Sequence, residues 1–82
     1  MKNFYILMQT LIDNEVKPNS MLCFCRDLYE YKRARYEYYN APSKAIKKGR
    51  YCDYHKYQAR VKDWLKTFRI DAIYKPEDFN DE

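Results

Sequence analysis

The chain has 82 residues, of which 34% are charged and 18% aromatic, with ten Tyr, a single Gly and a formal net charge of +4. This length allows one modest hydrophobic core and excludes a cleft between two large domains. The composition is too aromatic for a disordered chain and too poor in Gly for a loop-rich β fold, so it predicts a mostly helical protein.

The composition also bears on cellular compartment. Uncharged stretches are far shorter than the roughly 20 residues that a membrane span needs, and the N-terminus lacks the small-residue cleavage site of a signal peptide. We therefore expect a cytoplasmic protein that does not bind membranes. Three Cys residues, an odd number without an export signal, predict reduced thiols or metal ligands, since a disulfide framework needs an oxidising compartment.

Two amphipathic patterns open the chain. The first predicts a helix that ends near Asn14 or Glu15, because apolar residues recur at three- and four-residue steps. The second predicts a helix capped by Ser20 that ends near Tyr39, since Pro42 cannot continue a helix. In the first helix the apolar residues are Phe4, Leu7, Met8, Leu11 and Ile12. In the second, the predicted core stripe is Leu22, Cys25, Tyr29 and Tyr36.

Two further helices are predicted before the C-terminal segment. A short one spans residues 43–49, with Ser43 near its start and Gly49, the only Gly, at its end. The last begins at an Asp53 N-cap and shows the clearest periodicity. Its apolar residues are Tyr54, Tyr57, Val61, Trp64, Leu65 and Phe68.

These patterns predict a small bundle of three to four helices. We expect residues 1–70 to form a single helical domain and residues 71–82 to form an extended acidic tail. Within that tail, Ile73 or Tyr74 is expected to pack on the core.

Charge is distributed unevenly along the chain. Residues 32–69 contain twelve Lys and Arg and three acids, a net charge of +9, whereas residues 71–82 contain five acids and one Lys, a net charge of −4. A basic body with an acidic tail is typical of proteins that bind polyanions. A solvated surface of mixed charge, with no binding function, is the alternative.

The basic middle is also rich in Tyr, which favours nucleic acid as the partner. Lys and Arg neutralise phosphates, and flat side chains stack on unpaired bases. The predicted binding residues are Lys32, Arg33, Arg35, Lys44, Lys47, Lys48, Arg50, Tyr51, Lys62 and Lys66. Tyr31, Tyr38 and Tyr39 lie off the predicted helical stripes and join this surface. The tyrosines on the stripes are expected to be core or interface residues: Tyr29, Tyr36, Tyr54 and Tyr57.

Residues 42–51 resemble the recognition-helix end of small helix-turn-helix modules, including those appended to phage homing endonucleases. The resemblance implies that the short helix enters the major groove. The residues that would then face bases or phosphates are Ser43, Lys44, Lys47 and Lys48.

A second candidate site is a structural zinc centre. Every Cys and the only His fall into two short clusters, and four such ligands can close a tetrahedral site. The proposed ligands are Cys23, Cys25, Cys52 and His55. Residues 49–55 are similar to one half of a zinc knuckle. Because residues two apart on a helix point about 200° apart, this site requires the second helix to begin after Cys25. Small buried thiols and a surface His are the alternative.

Catalytic patterns are absent from the sequence. It contains no glycine-rich phosphate loop, no specified nucleophile and base, and no paired acids outside the C-terminal segment. We therefore expect a non-enzymatic protein without a small-molecule substrate.

The overall style of the chain resembles the small early or accessory proteins of T4-like bacteriophages, as in its opening residues MKNFYIL. That resemblance implies a role in host takeover or in blocking a host defence. The sequence leaves three functions open: a regulator or inhibitor that binds RNA or DNA, an inhibitor that binds an acidic surface of a host enzyme, and a small zinc module.

Overall fold

The computed structural model describes residues 4–79 and confirms a mostly helical protein that forms a small bundle. Three α-helices occur in these residues: α1 (Phe4–Asp13), α2 (Pro18–Tyr39) and α3 (Lys44–Thr67). A 3₁₀-helix over Pro76–Phe79 follows them. None of the helices described in residues 4–79 is long and apolar enough to cross a membrane.

α1 packs one apolar edge into the core. Leu7 and Leu11, one turn apart, are fully buried, whereas Ile12 remains 56% exposed although its spacing predicted a core position. The helix ends within two residues of the predicted boundary, at a turn in which Glu15 adopts a positive φ of 60°. Such a left-handed residue lets the chain reverse direction toward α2.

α2 begins earlier than predicted. Its first residue is Pro18, and Lys17 occupies the N-cap position without a side-chain hydrogen bond, so the prediction that Ser20 caps this helix is wrong. Proline suits a first helical position because it lacks the amide that would otherwise have no partner. α2 ends at Tyr39, as predicted. Pro42 follows shortly after, and a proline disfavours helical geometry at the residue before it, here Ala41.

The buried face of α2 differs from the predicted one. Leu22, Tyr29 and Tyr36 are each more than 60% exposed. The structure instead buries a different set, spaced by three or four residues: Phe24, Asp27, Leu28, Tyr31 and Ala34. Arg26, Lys32 and Arg33 flank the predicted stripe, and burying it in the core of the bundle would have required these charges to leave water without acidic partners.

α3 joins the two predicted C-terminal helices into one. Ser43 caps it as predicted, its hydroxyl accepting a hydrogen bond from the Ile46 amide at 3.3 Å. Gly49 and Asp53 lie inside the helix, so the predictions that Gly49 ends one helix and Asp53 begins another are wrong. An isolated Gly weakens a helix by only about 1 kcal/mol, which the packing of a long helix offsets.

α2 and α3 form an antiparallel hairpin joined by residues 40–43. Two ion pairs fix its register: Arg60 Nε lies 3.1 Å from Asp27 Oδ1, and Arg50 Nη1 lies 3.5 Å from Glu37 Oε2. The molecule is elongated, with principal dimensions of 44 × 21 × 21 Å, because each helix of the hairpin is about 33–36 Å long.

The hydrophobic core lies toward the open end of the hairpin, where α1 and the C-terminal segment pack. Phe24 contacts Phe68 and Phe79 edge-to-face, with ring centroids 5.5 and 6.3 Å apart. Val61, Leu65 and Phe68 of the last predicted stripe are buried, and Tyr54, Tyr57 and Trp64 pack against the same cluster, which confirms that prediction.

The C-terminal segment is folded in its described part. Residues 71–73 form turns, and the 3₁₀-helix buries Pro76 and Phe79. Of the two residues expected to pack on the core, Tyr74 does so and Ile73 is 71% exposed. The extended tail predicted for residues 71–82 is therefore not seen over residues 71–79, and residues 80–82 lie outside the described part of the chain.

Candidate nucleic-acid interface

The closed end of the hairpin carries a concentration of positive charge and aromatic rings. We call residues 32–56 the hairpin tip. They contain eight Lys and Arg, two acids and five Tyr, a net charge of +6. Most of the first ten residues of α3 are exposed, so this charge is presented to solvent.

A cluster of tyrosine rings joins the two helices at the tip. Tyr38 is central, with its ring centroid 5.0 Å from that of Tyr39 and 5.5 Å from those of Tyr51 and Tyr54. The His55 ring lies at the edge of the cluster, tilted by 55° to the Tyr51 ring with the centroids 4.2 Å apart. Tilted and edge-to-face contacts at these separations are the favourable arrangements for aromatic pairs. Through Tyr54, which also packs against the core, the cluster extends the packing between α2 and α3 toward the closed end of the hairpin.

Cationic side chains lie over two of these rings. The Lys47 ammonium is 4.9 Å from the Tyr38 centroid and 6.0 Å from that of Tyr39, and the Arg35 guanidinium is 5.2 Å from Tyr39. Each contact is a cation–π interaction, in which the negative face of the ring attracts the charge. The rings thus hold two cations at the surface of the tip.

A shallow groove opens beside the cluster, with a volume of about 280 Å³. Its lining residues are Tyr38, Lys44, Lys47, Lys48 and Tyr51. Lys44 and Lys48 are one helical turn apart in the first turns of α3, where the helix dipole adds partial positive charge. Three ammonium groups and two rings therefore border one concave surface.

Glu37 of the tip is engaged by neighbouring cations. Its carboxylate contacts Arg33 Nε at 3.3 Å on its own helix and Arg50 across the hairpin. The hydrogen bond and the charge of Glu37 raise the pKa of Arg33 above its ordinary value. These contacts offset the negative charge of Glu37, so it opposes anion binding at the tip only weakly.

The structure divides the predicted binding residues into two groups. Eight lie in the hairpin tip: Lys32, Arg33, Arg35, Lys44, Lys47, Lys48, Arg50 and Tyr51. Lys62 and Lys66 lie toward the other end of α3, about 21 and 27 Å along the helix from Lys48. They border a second pocket whose lining includes Asp63 and Asp71. One continuous surface therefore does not include all ten.

The tyrosines predicted for the same surface also separate. Tyr39 and Tyr51 are 60% and 46% exposed, and Tyr38 is half-buried. Tyr31 is fully buried in the core, so its assignment to the binding surface is wrong. It lies on the side of α2 that faces α3, with its ring centroid 5.9 Å from that of Tyr54.

The helix-turn-helix interpretation of residues 42–51 is wrong. Such modules place a separate short helix at a large angle to the preceding one. Here residues 44–51 are the first two turns of α3, and contacts from Asp27–Arg60 to Glu37–Arg50 keep α2 and α3 side by side. A short recognition helix is therefore not available to enter a groove.

The four proposed zinc ligands are not brought together. Cys23 and Cys25 lie inside α2, which begins at Pro18, so the condition for this site is not met. Cys52 and His55 precede Arg60 by eight and five residues on α3, so they lie about 12 and 7.5 Å along the hairpin from the level of Asp27, near which Cys25 lies. Residues 4–79 contain no group of three or more His, Cys, Asp or Glu side chains that could hold a metal ion.

The thiols instead have ordinary environments. Cys23 and Cys25 are half-buried, and Cys52 is exposed. Burial raises the pKa of the Cys25 thiol above its ordinary value, because the low-polarity surroundings disfavour the thiolate. The alternative of small buried thiols is therefore not met either, because Cys23 and Cys25 are only half-buried and Cys52 is exposed.

Sequence reasoning placed in the core three residues that lie on the surface. Leu22, Tyr29 and Tyr36 project from the side of α2 away from α3. The sequence around them indicated an exposed position, because basic residues follow Leu22 and Tyr29 at four-residue steps. Between Phe24, Leu28 and Tyr31, by contrast, no basic residue lies on the same face of the helix.

Comparison of the chain with protein-family models, with curated proteins and with solved structures finds no match.

Proposed function

We propose that this protein binds nucleic acid, RNA or DNA, through the hairpin tip. The observation that carries the proposal is the groove in which Lys44, Lys47 and Lys48 surround the rings of Tyr38 and Tyr51. Phosphates and bases require this pairing of cations with flat apolar surfaces, because the cations neutralise the backbone and the rings stack on bases.

The shape of the tip favours single strands. The molecule is 21 Å across perpendicular to its long axis, whereas the major groove of B-form DNA is about 12 Å wide and admits one helix. A two-helix tip is too broad to read bases in that groove. Exposed rings such as Tyr39 and Tyr51 suit unpaired bases instead, since every base offers a face for stacking.

The biological role that fits this binding mode is regulatory or inhibitory. A protein that covers single-stranded nucleic acid through charge and stacking competes with other proteins for the same strand. The chain resembles accessory proteins of T4-like bacteriophages, which suggests that the protein displaced from the strand is a host protein or part of a host defence system. We propose this role for a non-enzymatic protein.

The direct test is binding to fluorescent oligonucleotides. We expect the protein to bind a single-stranded oligonucleotide at low salt, with a logarithm of affinity that falls linearly with the logarithm of salt concentration, because each neutralised phosphate releases counterions. A duplex of the same sequence should bind more weakly. Absence of binding to both at low salt would refute the proposal, and tighter binding to the duplex would refute the preference for single strands.

Purification offers an independent check. Protein prepared without nuclease should carry nucleic acid that raises its absorbance at 260 nm relative to 280 nm, and washing at high salt should remove it. A protein-like ratio before the wash would mean that the tip does not hold cellular nucleic acid under those conditions, and the oligonucleotide measurement would then decide.

A further inference from the structure

A strip of exposed apolar side chains runs along the side of α2 that faces away from α3. Leu22, Tyr29 and Tyr36 are 68%, 63% and 68% exposed. They are seven residues apart, which places them on one side of the helix over about 21 Å. Single exposed apolar residues are ordinary, whereas three aligned on one side of a helix form a strip suited to contact with a second helix.

The spacing of the strip indicates the shape of its partner. A seven-residue repeat keeps apolar side chains facing a second helix, whose own side chains fill the spaces between them. The opposite side of α2 is already occupied, since Phe24, Leu28 and Tyr31 are buried in the core. A helix added along the strip would therefore extend the hairpin without displacing any contact of the hydrophobic core.

Basic residues border the strip on both sides. Arg26 and Arg33 follow Leu22 and Tyr29 by four residues, and Lys32 follows Tyr29 by three. Helical geometry places each of them within about 60° of the strip, whereas Glu30 and Glu37 are about 80–100° away. Arg33 also contacts Glu37, but an exposed pair of this kind contributes little and is readily exchanged. The charge around the strip is thus positive.

This charge selects among the helices that could cover the strip. A second copy of the chain would bring basic border against basic border in either orientation, which costs free energy. A helix with acidic residues beside its apolar strip would gain from the same border, as residues flanking the core do in paired helices. Charge complementarity therefore favours an acidic partner over self-association.

We propose that the outer face of α2, formed by Leu22, Tyr29 and Tyr36 with Arg26, Lys32 and Arg33, binds an amphipathic helix of another protein whose apolar strip is flanked by acidic residues. The site is distinct from the groove of the hairpin tip and does not depend on nucleic-acid binding. Exposed tyrosines at the centre of such a surface are the residues that most often contribute strongly to protein binding.

Two designed helical peptides test this proposal. Both carry Leu at the seam positions of four heptads, and the flanking positions are Glu in one and Lys in the other. The acidic peptide should bind the protein at least tenfold more tightly than the basic one, measured by fluorescence anisotropy at moderate salt. Failure of both peptides to bind, or equal binding of both, would overturn the proposal.

Three variants locate the contact. Tyr29→Ser should weaken binding of the acidic peptide at least tenfold, whereas Tyr5→Ser, which removes an 87% exposed ring from α1, should leave it unchanged. Arg26→Glu should reduce the ratio between the affinities for the acidic and the basic peptide. Tyr29→Ser and Tyr5→Ser are both at exposed positions and should preserve the fold. Equal binding of the acidic peptide by Tyr29→Ser and the parent protein would therefore overturn the proposal.

Analytical ultracentrifugation of the protein alone tests whether a second copy of the chain covers the strip instead. We expect a monomer at every concentration tested. A dimer that Tyr29→Ser dissociates would overturn the acidic-partner assignment and identify a second copy as the occupant. The variant Lys44→Glu/Lys48→Glu should bind the acidic peptide as the parent does, which separates this surface from the groove of the hairpin tip.

Discussion

Asp27 and Trp64 join α2 to α3 through a hydrogen bond of 2.7 Å between the indole Nε1–H and the carboxylate Oδ2. The Asp27 side chain is only 3% exposed, and its other oxygen accepts a hydrogen bond from Arg60 Nε at 3.1 Å. A buried carboxylate needs such donors, because leaving it unpaired costs several kcal/mol. Asp27 therefore requires α3 to stay in its observed register.

The first prediction follows from this contact. Asp27→Ala should lower the free energy of unfolding by about 1.5–3 kcal/mol, the range for a lost hydrogen bond to a charged group. A double-mutant cycle with Trp64→Phe, which removes the indole N–H, should give a coupling energy of about 1 kcal/mol or more. Asp63→Ala, an exposed acid of α3, serves as the control and should change stability by about 0.5 kcal/mol at most. Additive effects of the two changes would contradict the contact.

The second prediction separates the hairpin tip from net charge. Lys44→Glu/Lys48→Glu and Lys62→Glu/Lys66→Glu each reverse two exposed lysines one turn apart on α3 and change the net charge by the same amount. Only the first pair should strongly weaken binding to a single-stranded oligonucleotide and reduce the magnitude of the salt slope, by about 1.4 for two lost phosphate contacts. Lys47 is left intact because it contacts Tyr38.

The two pairs serve as controls for each other. Similar losses in both variants would show that binding depends on total charge, and a larger loss in Lys62→Glu/Lys66→Glu would place the surface at the opposite end of α3. Circular dichroism should show that both variants keep the helical fold.

The third prediction tests whether α3 is continuous through Gly49. Gly49→Ala should raise the free energy of unfolding by about 0.5–1 kcal/mol, because Ala restricts the unfolded chain and the added Cβ would meet no atom within 4 Å. In a domain of this size, that gain raises the melting temperature by several degrees. The reverse change at an exposed neighbour, Ala45→Gly, should lower it. A lower melting temperature for Gly49→Ala would indicate that a helix ends there after all.

The fourth prediction concerns the C-terminal segment. Phe79→Ala should destabilise the fold by about 3–5 kcal/mol, since the ring is 2% exposed and contacts both Phe24 and Tyr74. Ile73→Ala, at a 71% exposed position in the same segment, provides the control and should have little effect. Equal melting temperatures for the two variants would mean that this segment does not anchor the core.

Local signals in the sequence determined the helical class, the end of α2 before Pro42, the Ser43 cap and the core stripe of the last helix. Each of these depends on interactions within a few residues: proline lacks an amide donor, a hydroxyl reaches an amide three residues on, and apolar spacing follows the helical repeat. The charge and aromatic content of the hairpin tip were likewise visible, because composition needs no fold.

Tertiary packing decided what those local signals left open. α2 offers two apolar stripes, and the choice between them depends on Arg60 and Trp64, which lie more than 30 residues away and pair with Asp27. Gly49 favours a helix end locally, yet the packing of residues on both sides against α2 carries α3 through it. Lys62 and Lys66 are separated from the hairpin tip for the same reason. Because α3 is one continuous helix, residues that are far apart in its sequence are also far apart in space.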